Sequence, residues 1–247
     1  MSYLLNLSQN SGSTQDFTVN YPSAIPVKGN WELSLIAANL WYSYFNITAA
    51  YGNNLLRYYN GTVWKTITIP DGAYQLTQIN TYFQQQMQAN GDYTTGSPNV
   101  YYITLAPDYS TLKTALTISN SYQLDLTAGS INVLLGFNAA IYTTSQEGQQ
   151  QVNITNGVNS LLIHCNAIEG SYSNFSGSDI IYSFLPQTPP GSNINLNMGS
   201  SRIYLPIKYK DQIAQIRMYI TDQNNNSINL EGQPVSYTIH LRRSKIH

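Results

Sequence analysis

Alternation of apolar and polar positions dominates this chain. Trp31-Glu32-Leu33-Ser34-Leu35 alternates, and so does Lys65-Thr66-Ile67-Thr68-Ile69. Nearer the C-terminus, Ile216, Met218 and Ile220 alternate with Arg217 and Tyr219, and Val235, Tyr237, Ile239 and Leu241 alternate with Ser236, Thr238 and His240. Successive side chains of an extended chain point to opposite faces, so a period of two marks a strand with one buried face. Short runs rich in β-branched and aromatic residues, bounded by Gly, Pro and Asn, predict further strands over 17–21, 41–47, 55–59, 101–105, 113–118, 160–168, 179–184 and 203–207.

One stretch departs from the period of two. Leu76, Ile79, Phe83 and Met87 fall at spacings of three and four, which predicts a short helix with Thr77 as N-cap and Asn90-Gly91 as its stop. Many strands, one helix and no β–α alternation indicate an all-β class. The expected architecture is a single jelly-roll β-sandwich of two four-stranded antiparallel sheets with one short inserted helix. The polar stretches 143–151 and 187–201 read as long surface loops, and neither has the composition of a domain linker. The expectation is therefore one domain over residues 1–247, with an N-terminal arm at 1–15, the jelly roll at 16–243 and a C-terminal tail at 244–247. No fixed-period repeat is present, which argues against propellers and solenoids.

Composition sharpens this picture in one respect. The chain of 247 residues is 42% hydrophobic but only 9% charged, where soluble domains run near 25% charged. Its polar positions are filled by Asn, Gln, Ser and Thr. A formal net charge of −1 gives no long-range field toward nucleic acid or anionic lipid. Few charges also mean few groups to desolvate when large surfaces meet, which suits a protein that assembles. The opening Met1-Ser2-Tyr3-Leu4-Leu5-Asn6 has no basic or long apolar run and reads as no signal peptide, and no apolar stretch is long enough to span a membrane.

Catalytic chemistry finds little material. The only histidines are His164, His240 and His247, and the only cysteine is Cys165. His164 and Cys165 are neighbours on a predicted strand and so face opposite ways; they cannot act as base and nucleophile or as two ligands of one metal. Cys165 reads as a small core residue and His164 as a polar-face or interface residue. Gly199-Ser200-Ser201-Arg202-Ile203 approaches a nucleophile elbow but lacks its second glycine. Asp222-Gln223-Asn224-Asn225-Asn226 opens like a calcium loop, yet Ser227 stands where the glycine belongs and Gln233 where the bidentate glutamate belongs. It reads as a polar loop between strands. No catalytic, cofactor-binding or metal-ligating residue is assigned, and no cofactor is expected.

Two features bear on contacts. Basic residues gather weakly at Lys208/Lys210 and in the tail Arg242-Arg243-Ser244-Lys245. Their plain reading is a solvated terminus, and the alternative is a weak nucleic-acid or neighbouring-subunit contact through the tail. The aromatics, 21 Tyr, 6 Phe and 3 Trp, run together at Trp41-Tyr42-Ser43-Tyr44-Phe45, Tyr58-Tyr59 and Tyr101-Tyr102. Tyrosine suits both sheet packing and contact surfaces, so the runs fit either role.

A series of phrases, in order along the chain, resembles one family. They are Phe17-Thr18-Val19-Asn20-Tyr21-Pro22, Asn30-Trp31-Glu32-Leu33, Trp41-Tyr42-Ser43-Tyr44 with Asn46-Ile47, and Ile67-Thr68-Ile69-Pro70-Asp71-Gly72-Ala73-Tyr74 leading to Ile79-Asn80. Leu134-Leu135-Gly136-Phe137, Val158-Asn159-Ser160, His164-Cys165, Tyr182-Ser183-Phe184-Leu185-Pro186, Ile203-Tyr204-Leu205-Pro206 and Thr221-Asp222-Gln223 follow. Together they resemble the penton, or minor capsid, proteins of Maverick/Polinton elements and adintoviruses. The resemblance implies a single jelly-roll subunit whose homopentamer forms the capsomer at each icosahedral vertex of a virion assembled inside the host cell. It also implies a separate double jelly-roll major capsid protein as partner, no membrane contact and no enzyme activity. At this length little is expected beyond the jelly roll and its loops. The alternatives are a β-sandwich ligand-binding module, lectin-like or receptor-attaching, and an enzyme on a cupin-like scaffold, for which the histidines are too few.

Overall fold

The clearest alternating segment behaves as its pattern requires: Val235, Tyr237, Ile239 and Leu241 are buried, while Ser236, Thr238, His240 and Arg242 turn to the other face and stay half-buried. In the computed structural model, which describes residues 1–155, 157–173 and 176–244, such segments assemble two hydrophobic clusters in two units. Unit 1 is Met1–Tyr44 with Val158–His247, and unit 2 is Phe45–Gly157.

Unit 1 contains eight principal strands: β1 (Ser2–Gln9), β2 (Asp16–Pro26), β3 (Trp31–Trp41), β4 (Leu161–Cys165), β5 (Ile180–Phe184), β6 (Asn193–Asn197), β7 (Gln212–Asp222) and β8 (Val235–Arg243). One sheet has the order β1-β8-β3-β6, with the short strand Leu205–Pro206 also on β3; the other has the order β5-β4-β7-β2. Every pairing is antiparallel. Apart from β4 and β5, which share a sheet, successive strands alternate between the sheets. This is a jelly roll of two four-stranded antiparallel paths, as the alternation predicts. Leu33, Leu35, Ile163, Ile216, Met218 and Ile239 belong to the cluster packed in this unit.

Unit 2 is inserted between β3 and β4. Helix α1 (Leu76–Ala89) buries Leu76, Ile79, Phe83 and Met87, the face its spacing predicts. Strand Ile103–Asp108 lies against it, with the Leu105 N–H donating to Asn80 Oδ1 at 2.8 Å. The hairpin Leu55–Tyr59/Trp64–Thr68 places Leu56, Tyr58 and Ile67 in the same cluster. A second, five-residue helix, α2 (Ile131–Leu135), ends at Gly136 in the left-handed region, φ 77°. A Cβ on Gly136 would lie 2.5 Å from the Gln150 carbonyl oxygen. Gly136→Ala is therefore expected to cost about 2 kcal/mol or more, read as a lower urea midpoint.

Several expectations need revision. One continuous domain with little beyond the jelly roll did not anticipate unit 2, because alternation shows that a strand has a buried face and not which core it faces. The expected arm at 1–15 holds β1, which pairs with β8 along its whole length. The expected strand at 41–47 ends at Trp41; beyond it Tyr42 and Tyr44 stack at 4.6 Å. The expected loop at 187–201 contains β6, with Ile194 buried. Gln75, not Thr77, caps α1: its N–H donates to Gln78 Oε1 at 2.8 Å. The tail residues 245–247, with His247, lie outside the described residues. Among the described residues no helix is long and apolar enough to cross a membrane.

Candidate functional site

A dense polar constellation lies across the β5-β4-β7-β2 sheet. It follows from register. On β4, Leu161, Ile163 and Cys165 belong to the core cluster, so His164 projects from the opposite face. Burial pushes the Cys165 thiol up to about 12, as befits an inert core residue. His164 lies opposite Tyr219 on β7, and Tyr219 lies opposite Asp16 on β2. These are cross-strand neighbours that can interact directly. Thr221, two residues along β7, is the diagonal neighbour of His164.

His164 is only 3% exposed and both its ring nitrogens are engaged. Nδ1 lies 2.8 Å from Asp179 Oδ1 and Nε2 lies 2.9 Å from Thr221 Oγ1. The ring stacks on Tyr219, with centroids 4.3 Å apart. The Tyr219 hydroxyl donates to Asp179 Oδ1 and Oδ2 at 2.8 and 3.0 Å. Arg217 lies over the other partner, its Cζ 4.8 Å from the Tyr219 ring centroid, and donates to both Asp16 oxygens at 2.7 and 2.5 Å. The Asp179 carboxyl is held below its ordinary value: burial works to raise it, and hydrogen bonds from His164 and Tyr219 outweigh that. Burial pushes the Tyr219 hydroxyl well up, reinforced by the neighbouring Asp179.

The row Thr221–His164–Asp179 has the spacing of a hydroxyl, base and orienting carboxylate. What argues against that role is access: His164 is buried beneath the other members of the cluster, and the Thr221 oxygen also lies 3.0 Å from the Asp222 carbonyl. Thr221 is itself 5% exposed. The cluster acts as a polar clasp joining the four strands of this sheet. Within it, the bidentate Arg217–Asp16 pair is largely exposed, 49% and 36%. Arg217→Ala is expected to change stability by no more than about 1 kcal/mol, checked by thermal unfolding.

The other sequence candidates fall apart in space or prove structural. Asp222 does not await a cation: Oδ1 accepts from the backbone N–H groups of Asn224 and Asn226, and Oδ2 accepts from Asn226 Nδ2. The loop between β7 and β8 is an Asx-type turn, with Asn225 at φ 64°. His240 Nδ1 pairs with the Tyr204 hydroxyl at 2.8 Å, and Arg242 lies over the Tyr204 ring and donates to Glu32 Oε1 at 2.5 Å. Of the 21 tyrosines only Tyr51, Tyr109 and Tyr172 are exposed, so the aromatic runs serve mainly packing within the chain. Sequence placed His164 on the polar face but missed Asp179, Tyr219 and Thr221 as its partners. Their alternation with core residues was the available signal, and only the register joins them.

The strand order and the inserted unit together are distinctive enough to compare. The chain is similar to the crystal structure of the mavirus penton protein over 99% of its own length and 100% of that chain, with a TM-score of 0.50 and 11% identity. The fold is that of a penton protein. At this identity the likeness concerns the fold, and its coverage takes in residues of both units. No family model matches the sequence, and no curated protein matches it significantly.

Proposed function

We propose that the chain is a structural capsid subunit, a penton or minor capsid protein. Five copies form the capsomer at each icosahedral vertex, beside capsomers of a separate double jelly-roll major capsid protein, in a virion assembled inside the host cell. The full-length likeness to the mavirus penton carries this reading. The ordered phrases resembling the same family point the same way.

The sheet edges add physical support. β1 is a terminal strand of its sheet, eight residues long, without a charge, a proline or a bulge, and its outward Leu4 is 67% exposed. Free monomers usually blunt such an edge; an assembling subunit has reason to keep it open. In solution the recombinant chain is expected to sediment at five times the chain mass, and to enter particles when mixed with major capsid protein. A strict monomer that never joins particles would overturn the proposal. Micromolar glycan binding by such a monomer would favour the ligand-binding module instead.

A further inference from the structure

Some of the few cations in this chain are neutralised where they stand. Of the 11 Lys and Arg residues, Arg57, Lys65, Arg217 and Arg242 pair with Asp125, Asp92, Asp16 and Glu32. Lys28, Lys208, Lys210 and Arg243 are exposed, and among the described residues none of them enters an ion pair. These four belong to three chain segments that hydrogen bonds bring together at one end of unit 1.

Val27 N–H donates to the Asp211 carbonyl at 2.8 Å, which sets Lys28 beside the segment carrying Lys208 and Lys210. Ser244 N–H donates to the Asn30 carbonyl at 2.9 Å, which brings in Arg243 from β8. Gly29, at φ 96°, has no side chain to fend off that arginine: a Cβ there would lie 3.3 Å from Arg243 Nη2. The segments surround a cleft of about 640 Å³ whose lining includes Tyr209, Lys210, Glu169 and Ser244. Glu169 and the exposed Asp211 oppose the four cations, and Glu32, also on the cleft, is held by Arg242. Lys210 lines this cleft, Lys28 and Arg243 are the chain neighbours of its lining residues Gly29 and Ser244, and Lys208 lines a second cleft that shares Glu169, so net positive charge collects around this end of unit 1 in a chain whose overall charge is −1.

We infer that this end of unit 1 is a docking surface for the phosphate backbone of nucleic acid, read without regard to base sequence. Exposed, unpaired cations at several points of one surface can each neutralise one phosphate and release its counterions. The half-buried Tyr209 ring at the cleft adds a stacking surface, which suits a single strand. The surface belongs to one chain, so it is testable apart from assembly.

The full chain is titrated into a fluorescein-labelled 20-nucleotide single-stranded DNA by anisotropy between 50 and 200 mM salt. Four phosphate contacts give a log–log salt slope of about −3. Each of Lys28→Ser, Lys208→Ser, Lys210→Ser and Arg243→Ser is expected to weaken binding several-fold and flatten the slope by about 0.7 to 1. Lys113→Ser, in unit 2, should leave it unchanged. All four sites are exposed and free of ion pairs, and unchanged thermal melts verify that the variants fold. The inference is overturned if the slope does not respond to the four substitutions, if Lys113→Ser weakens binding equally, or if polyglutamate of matched charge binds more tightly than the DNA.

Discussion

Phe83→Ala is expected to destabilise unit 2 by about 3–5 kcal/mol. Phe83 is fully buried in the middle of the apolar face of α1, and its ring meets Tyr58 edge-on at 5.6 Å. Tyr58 is itself fully buried and cannot swing into the vacated space without breaking its hydrogen bonds. Its hydroxyl donates to Asp92 Oδ2 at 2.6 Å and accepts from Asn90 Nδ2 at 3.0 Å. The same carboxylate holds Lys65 Nζ at 2.7 Å and Asn60 Nδ2 at 2.9 Å. The site therefore relaxes little, and a rigid cavity costs most. Segment-resolved amide exchange over 76–89 and 103–108 should show protection falling by a factor of about 10² to 4 × 10³. A loss under tenfold would mean that the helix face is not what holds unit 2 together.

How much of this was legible in the sequence depends on which residues are asked. The face of α1 was, because four apolar residues at helical spacing admit one reading, and so were the alternating cores of β7 and β8, where Ile216, Met218 and Ile220, and Val235, Tyr237, Ile239 and Leu241, turn inward. β1 was obscured by Leu4, an apolar residue on the outward face that breaks the alternation of Tyr3, Leu5 and Leu7. β6 was hidden among asparagines, since Asn193, Asn195 and Asn197 resemble loop composition although Ile194 packs inward. The run from Trp41 was misleading for the opposite reason. Its aromatic residues have high β-propensity, but that propensity reflects packing on a sheet, and here the chain leaves the sheet while the rings stack on each other. Partition into two cores and the meeting of His164 with Asp179 both depend on contacts between segments distant in sequence, which no local period encodes.

Asp179→Ala is the sharpest test of the polar clasp. Asp179 precedes β5 and accepts from His164 on β4 and Tyr219 on β7, so its loss leaves a buried ring nitrogen and a half-buried hydroxyl without their partner. Leaving such groups unpaired costs more than the bonds contribute, and the expected destabilisation is about 3 kcal/mol at neutral pH. The sign of its pH dependence follows from the lowered carboxyl of Asp179. A group bound more weakly by protons in the folded state stabilises the fold above its unfolded value, near 4, and that contribution fades as pH falls through the lower folded value. The parent chain should therefore lose stability on acidification more steeply than Asp179→Ala, and the gap between their denaturant midpoints should narrow below about pH 4. Asp179→Asn keeps the shape and one acceptor oxygen but not the charge, so it should fall between the two at pH 7 and approach them in acid. A gap that stayed constant from pH 7 to pH 3 would assign the cost to lost packing, and the clasp would then be a matter of shape alone.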